Sequence, residues 1–244
     1  MSEAITTMQS GPSVTPETAG ESLLGTPINL PYHPFEAANT GAAQPQPIAP
    51  FPGATASPGA VFARIFAVTV GVEGAVSMDP RDPGNWSAGE VGKGALVGTA
   101  WGISAPNLVR DGLFSSAKEV PEQWARGWYF KNFLEVGCDL LAPGMAMTYF
   151  DAWVNNGSGA ASHLAALALD KTTFCLKTEG AALMRRFSNP TDQEAWIAEF
   201  FARRTHMMTG LAVWKVYGNG FCNRLFHVHT EALRLTFAGL QPPI

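Results

Sequence analysis

The sequence predicts a mainly α-helical body with a small β or loop element near its start, preceded by an extended N-terminal arm. Residues 1–60 are rich in Pro, Gly, Ala, Ser and Thr and have almost no hydrophobic periodicity. From residue 61 onward, apolar residues recur at spacings of three and four, the period of a buried helix face. Between residues 75 and 107, Gly, Pro, Asp and Ser are too dense for long helices.

The N-terminal arm has two interpretations. A segment of this composition cannot bury enough apolar surface to order by itself, so it is either a linker or processed tail, or a docking arm that orders on a partner protein. It carries scattered apolar side chains at Leu23, Leu24, Ile28, Leu30, Tyr32 and Phe35. These are more apolar than a spacer requires and favour the docking arm.

The helices follow in order along the body. The first runs from residue 61 to about residue 71, which places Glu73 at or just past its end. A small hairpin or irregular loop follows, including ALVGTAWGIS. Pro121 then opens a helix as a first-turn residue. Further helices are predicted at 143–154, 158–170, 179–187, 191–209 and 221–236. We divide the chain into the arm (1–60), a catalytic region (61–150) and a helical C-terminal region that completes the fold (151–244).

The composition excludes several classes of function. The 244 residues, 46% hydrophobic, suffice for one domain with a tail or for two small domains. Charged residues make up only 15% and the net charge is −4, so we expect no nucleic-acid partner. No run approaches the roughly 18–20 consecutive apolar residues that span a bilayer, which predicts no membrane insertion.

The N-terminus and the cysteines bear on location and cofactors. Residues 1–20 lack the basic start and apolar core of a secretory signal, so we expect synthesis in the cytoplasm without a signal peptide. The three cysteines, Cys138, Cys175 and Cys222, are far apart, which favours buried apolar roles over disulfides. The chain has no CxxC pair, and we expect neither a metal nor another cofactor.

The segment VEGAVSMDPRDPGN, residues 72–85, together with GTAWGIS, residues 98–104, carries candidate catalytic groups. Glycosidic hydrolysis needs one carboxyl kept protonated and a second kept ionised. Apolar neighbours would raise the pKa of Glu73, which suits a general acid. Asp82 lies in a polar loop that keeps it charged, and Thr99 can hold a water beside it. The alternative is that Glu73 merely ends a helix and that Asp79 and Asp82 only cap turns.

The chain resembles the glycoside hydrolase family 108 muramidases, lysozyme-like proteins of bacteria and phages. The family pattern is an acid in EGG, a turn of the form NDPxDPGG, and then TxxGI. This chain has EGA at residues 73–75, MDPRDPGN at 78–85 and TAWGI at 99–103. The similarity continues in three later segments, PEQWARGWYFKNFL, YFDAWVNNGSGAA and NGFCNRLFHV, at residues 121–134, 149–161 and 219–228.

This resemblance implies a lysozyme-like helical fold and cleavage of the β-1,4 bond between N-acetylmuramic acid and N-acetylglucosamine. It assigns Glu73 as the general acid, with Asp82 and Thr99 positioning the attacking water. Between Pro83 and Thr99 the chain has a longer segment than the family's usual turn, so Glu90 is an alternative second carboxylate. The stereochemical outcome stays open at this point, because it depends on the separation of the two carboxyl groups.

Three further residues are candidates to contact the glycan: Trp101, Tyr129 and Asn155. Aromatic faces stack on sugar rings, and amides bond N-acetyl groups. The alternative for Trp101 and Tyr129 is packing in the helical core, and for Asn155 it is capping a helix before Gly157.

Together these observations predict a phage-encoded peptidoglycan hydrolase that acts at the bacterial cell wall. It is either a lysin that reaches the wall through a membrane hole or a particle-borne enzyme tethered by residues 1–60, and the arm favours the tethered enzyme. The resemblance leaves open whether residues 151–244 include a peptidoglycan-binding part. Two rival hypotheses are a lytic transglycosylase, which uses one acid and leaves a 1,6-anhydro sugar, and a structural adaptor that kept the fold and lost activity.

Overall fold

The computed structural model describes residues 57–70 and 76–238. Eight α-helices lie within these ranges and confirm the predicted mainly α class. Their bounds are Pro58–Thr69 (α1), Ala105–Gly112 (α2), Glu122–Glu135 (α3), Pro143–Asn156 (α4), Ser158–Leu167 (α5), Leu176–Arg186 (α6), Pro190–Thr209 (α7) and Trp214–Phe237 (α8). The predicted N-terminal arm falls almost entirely on residues 1–56, outside the described residues.

Most helix ends carry the local signals that the sequence contains. The Ser57 side chain caps α1 by accepting from the Ala60 N–H, and Pro58 occupies the first turn. Asn189 caps α7 in the same way, ahead of Pro190. Pro121 precedes α3 as its capping residue rather than standing in the first turn as predicted.

Two helices differ most from the sequence prediction. The short helix α2 was not expected, because its residues follow a stretch dense in Gly, Ser and Pro. Helix α8 begins at Trp214 instead of residue 221, although glycines interrupt this part of the sequence. The Trp214 ring stacks on Phe221 with centroids 5.8 Å apart and planes 12° apart, so packing across two turns stabilises helix where local propensity is poor.

Helix α4 runs through the centre of the core and contacts α1, α5, α7 and α8. All residues from Gly144 to Ala152 in this helix are buried. A side chain at Gly144 would collide with the Ala232 carbonyl and the Thr236 hydroxyl of α8, so only glycine permits this close crossing. The division predicted between residues 150 and 151 lies inside α4, and one apolar core joins residues from both regions.

Residues 76–104, between α1 and α2, form an irregular loop rather than a sheet. Three isolated antiparallel bridges hold it, pairing Ser77 with Thr99, Trp86 with Leu96, and Ala100 with Ile103. This is the small β or loop element that the sequence predicted. It contains the DPRDPGN turn and the TAWGI segment.

None of the helices in the described ranges is both long and apolar enough to cross a bilayer. Cys138 is buried, as predicted, but Cys222 is only partly buried. Cys175 is exposed, because it precedes α6 in a stretch that lies on the surface.

Candidate active site

The DPRDPGN turn is held together by its own two carboxylates. Asp79 accepts a hydrogen bond from the Arg81 backbone N–H at 2.9 Å and pairs with the Arg81 guanidinium at 2.8 Å. Asp82 accepts from the Gly84 N–H at 2.8 Å and starts the 3₁₀ turn Pro83–Asn85. Both contacts are those of turn-capping aspartates. The Asp82 side chain is half-buried at the start of this turn.

Thr99 lies directly against this turn. Its backbone exchanges two hydrogen bonds with Ser77, each 2.9 Å long, and its hydroxyl donates to the Gly84 carbonyl at 3.5 Å. Thr99 is only 2% exposed. Thr99, which the sequence predicted to act together with Asp82, therefore lies next to the Asp82 turn. Its hydroxyl is buried and donates to a backbone carbonyl.

The segment between the turn and Thr99 forms a closed loop. The Asn85 carbonyl accepts from the backbone N–H groups of Val97 and Gly98, at 3.0 and 2.9 Å. The buried Asn85 side chain donates to the Ser77 hydroxyl and to the Asp79 carbonyl, at 3.1 and 3.0 Å. The long segment therefore returns to its starting point and does not separate Asp82 from Thr99.

Glu90 lies at the exposed far end of this closed loop. Its carboxylate pairs with Lys93 at 2.7 Å, and both side chains are more than half exposed. Asp82, by contrast, lies at the closed base of the loop, beside Thr99. This arrangement favours Asp82 over Glu90 as the partner of Thr99.

Glu73, the predicted general acid, belongs to residues 71–75 and lies outside the described residues. The last residues described before it are Thr69 and Val70, at the end of α1, and both are buried.

The end of α1 is tied to the protein core by a part-buried arginine and two buried charged groups. Arg224 of α8 donates to the Thr69 carbonyl and to the Asp151 carboxylate, both at 2.9 Å. Arg204 of α7 donates to the other Asp151 oxygen at 2.6 Å. We call Asp151, Arg204 and Arg224 the Asp151 cluster. It joins helices α1, α4, α7 and α8 at the point where the chain leaves α1 toward Glu73.

Two asparagines of α4 surround the Asp151 cluster. The Asn155 amide donates to the Asp151 carbonyl at 2.7 Å and to its carboxylate at 3.2 Å, and Arg204 donates to the Asn156 side chain at 2.8 Å. Asn155, predicted to contact the glycan, thus has its amide donor directed at Asp151 in this structure.

The electrostatics of the cluster favour an ionised Asp151. Burial by itself raises the pKa of this carboxyl, but the Arg224 and Arg204 charges outweigh burial and hold the pKa below its ordinary 3.8. Burial lowers the pKa of the Arg204 guanidinium, against the opposing effect of Asp151. Asp151 and Arg204 are both 0% exposed.

The sequence did not predict a role for Asp151 or Arg224. The available signal was a single charged residue inside an otherwise apolar helical run, as in YFDAWV and FCNRLF. Charges at such positions are rarely buried unless they are paired.

The two aromatic candidates are in contact: the side chain of Tyr129 bonds the backbone of Trp101. The Tyr129 hydroxyl donates to the Trp101 carbonyl at 2.9 Å, and the Trp101 indole N–H donates to the Val120 carbonyl at 3.2 Å. The Tyr129 ring is 2% exposed and packs edge-on against Phe66 and Phe150. Tyr129 thus supports the TAWGI segment from the core, whereas Trp101 is partly exposed.

Trp101 has a left-handed backbone conformation, with φ of 55°. Such a conformation is uncommon for a bulky residue and has to be imposed by its surroundings. The hydrogen bond from Tyr129 and the Ala100–Ile103 bridge impose it here.

Among the residues described, no group of three His, Cys, Asp or Glu side chains is arranged to hold a metal ion.

The chain is similar in fold to a solved structure, and part of it matches a known family. The chain is similar to the solved structure of SagA from Brucella abortus, with a TM-score of 0.58 and 20% identity over 72% of this chain and 95% of that chain. At this identity the likeness shows the fold, which is that of a lysozyme-like helical domain. Residues 66–157 match the model of the glycosyl hydrolase 108 family. No curated protein matches the chain.

The family match confirms the resemblance read from the sequence. It extends from the last turn of α1 to the residue after α4 and includes Glu73, Asp82, Thr99 and Asp151. Arg204 and Arg224, which complete the Asp151 cluster, lie in α7 and α8 beyond the matched segment.

Proposed function

We propose that this protein is a peptidoglycan hydrolase that cleaves the β-1,4 bond between N-acetylmuramic acid and N-acetylglucosamine. The family match over residues 66–157 carries this proposal, because it spans every predicted catalytic residue. Glu73 acts as the general acid, and no cofactor takes part. The substrate is the glycan strand of the bacterial cell wall.

The two carboxyl groups have different roles in the reaction. Glu73 donates a proton to the glycosidic oxygen as the bond breaks, and an ionised carboxylate offsets the positive charge that develops at the anomeric carbon. Asp82 is the candidate for this second role. Its position at the base of the closed loop, beside Thr99, supports the assignment.

A zymogram of bacterial cell walls tests the general acid. We expect wild-type protein to clear the wall and Glu73→Gln to leave it intact, because the amide cannot donate the required proton. Glu90→Gln is the matched control, since it removes an exposed carboxylate at the far end of the loop. Equal clearing by Glu73→Gln and wild type would refute the catalytic assignment, and no clearing by wild type would favour the adaptor hypothesis.

A lytic transglycosylase is the second candidate, and the burial of Thr99 favours it. The Thr99 hydroxyl donates to the Gly84 carbonyl and is enclosed, which disfavours the binding of an attacking water there. A transglycosylase needs no such water, because the sugar's own hydroxyl closes a 1,6-anhydro ring. Mass spectrometry of digested wall distinguishes the two: reducing ends indicate the hydrolase, and 1,6-anhydro ends indicate the transglycosylase.

We further propose that the protein is phage-encoded and particle-borne, with residues 1–60 as the tether. The support is the apolar content of that arm. A truncated chain that starts at Ser57 keeps the cap of α1 and tests this role. Incorporation of the truncated chain into particles at the level of the whole chain would refute the tether.

A further inference from the structure

The last turn of α1 ends in a backbone carbonyl that needs a partner. The carbonyl groups at a helix C-terminus have no partner within the helix. At Thr69 a guanidinium supplies it: Arg224 donates at 2.9 Å across 155 positions of sequence. A positive charge at this end of the helix is also favoured by the helix dipole. Arg224 thus fixes where α1 ends, four positions before Glu73.

Arg224 is itself held in place by Asp151. The same guanidinium nitrogen that reaches Thr69 also donates to the Asp151 carboxylate at 2.9 Å. The second oxygen of that carboxylate is bound by Arg204 at 2.6 Å. Because Asp151 and Arg204 are fully buried in helices of the core, the guanidinium of Arg224 has little freedom to move.

We propose that Arg224 is a positioning residue that fixes the end of α1 and thereby the placement of the segment carrying Glu73. Asp151 and Arg204 act through it by orienting its guanidinium. This inference deepens the proposed hydrolase function and rests on it only where activity is the readout. Arg224 reaches the reaction through the backbone at Thr69 and is not assigned a contact with the substrate.

The α1–α8 interface supplies a matched control. Arg64 in the middle of α1 forms a buried ion pair with Glu231 of α8, and Arg234 also pairs with Glu231. Glu231→Gln removes one charge from the Arg64–Glu231 pair between α1 and α8, and Arg224→Gln removes one charge from the Arg224–Asp151 pair between α8 and α4. Only Arg224, however, bonds the terminal turn of α1. A purely structural role predicts the same consequences for both variants.

Hydrogen exchange on the full-length protein, well below its unfolding temperature, tests the placement directly. We expect the amides of residues 66–70 to exchange faster in Arg224→Gln than in wild type, with wild-type protection in Glu231→Gln. Wild-type protection in Arg224→Gln, or equal loss in both variants, would overturn the proposal. This measurement decides the question even if the wild-type protein has no hydrolase activity, which would refute the proposed function alone.

Kinetics on soluble peptidoglycan fragments provide the second readout. We expect kcat of Arg224→Gln to fall roughly ten- to hundredfold with little change in KM, because a misplaced acid affects the reaction more than binding. Glu231→Gln should keep its kcat. Arg224→Lys keeps the charge but lacks the planar guanidinium that bridges two acceptors. A kcat below wild type in Arg224→Lys supports the need for that bridge, and a wild-type kcat overturns it.

Discussion

At the scale of single residues, Asp82 and Asp79 show how one residue type in one turn serves different purposes. Both precede a proline and both accept a backbone N–H two residues later. Asp79 also neutralises Arg81. Asp82 instead lies at the base of the loop, where its turn meets Thr99. The capping contacts account for an oxygen acceptor at each position, but they do not by themselves require a negative charge.

Substitution of either aspartate by asparagine removes the negative charge but keeps the turn cap, because the amide oxygen of asparagine accepts the same backbone N–H. We expect Asp82→Asn to fold normally and to lose roughly a hundredfold or more in kcat if its charge assists the reaction. Asp79→Asn, in the same turn, should keep wild-type kcat. Steady-state kinetics of both variants decide the matter. Equal activity of Asp82→Asn and wild type would leave Asp82 as a turn cap only.

At the scale of elements, the loop before α2 depends on a close backbone contact at Gly98. This residue has φ of 91°, and a side chain there would lie 2.7 Å from the Ser77 carbonyl and would collide with Met78. The bridge between Ser77 and Thr99 requires this approach. Glycine at position 98 therefore lets the segment return to the Asp82 turn.

We expect Gly98→Ala to lower the free energy of unfolding by roughly 2–4 kcal/mol, because backbone strain and overpacking add. Gly92→Ala is the control. Its φ is also positive, at 76°, but a side chain there meets open space, so only the strain of about 1 kcal/mol applies. Urea unfolding curves of both variants measure the difference. A loss in Gly98→Ala no greater than in Gly92→Ala would show that the close approach to Ser77 is unimportant.

At the scale of the whole molecule, buried charges link distant parts of the chain. Asp151 and Arg204 are 53 positions apart, Asp151 and Arg224 are 73, and Arg64 and Glu231 are 167. These pairs join α1, α4, α7 and α8, which otherwise contact through apolar side chains. The removal of one partner leaves an uncompensated charge in the core, which is strongly destabilising.

Asp151 gives this link a definite pH dependence. Its pKa is lower in the folded protein than the ordinary 3.8, because the two arginines outweigh burial. The contribution to stability is therefore complete above about pH 4 and is lost as the pH falls through the lowered folded pKa. We expect Asp151→Asn to lose about 3–5 kcal/mol of unfolding free energy at pH 7.

Urea unfolding of wild type and Asp151→Asn from pH 7 down to the acid range measures this effect. The gap between the two proteins should narrow below about pH 4, because the Asp151 carboxyl of the unfolded wild-type chain takes up a proton there, before that of the folded protein does. A gap that stays constant down to the lowest pH at which both proteins fold would contradict the assigned role of the Asp151 charge.

Local patterns in the sequence predicted the helices well, because helix period, caps and prolines act over a few residues. The helices α4, α5 and α7 begin within one residue of their predicted starts. The same local reasoning located the DPRDPGN turn and the TAWGI segment. It failed at α2 and at the first turns of α8, where packing outweighs the local signals of glycine and proline.

The sequence by itself determined the helical class and the family resemblance, and it predicted the candidate catalytic residues, since these depend on composition, periodicity and ordered motifs. Only the tertiary structure decided that the long segment closes so that Thr99 meets the Asp82 turn, and that Asp151 is bound by Arg204 and Arg224 beneath the end of α1. Contacts of this kind depend on how loops close and helices cross. A buried charge in a sequence indicates that a partner is needed, but the crossing of helices selects which residue it is.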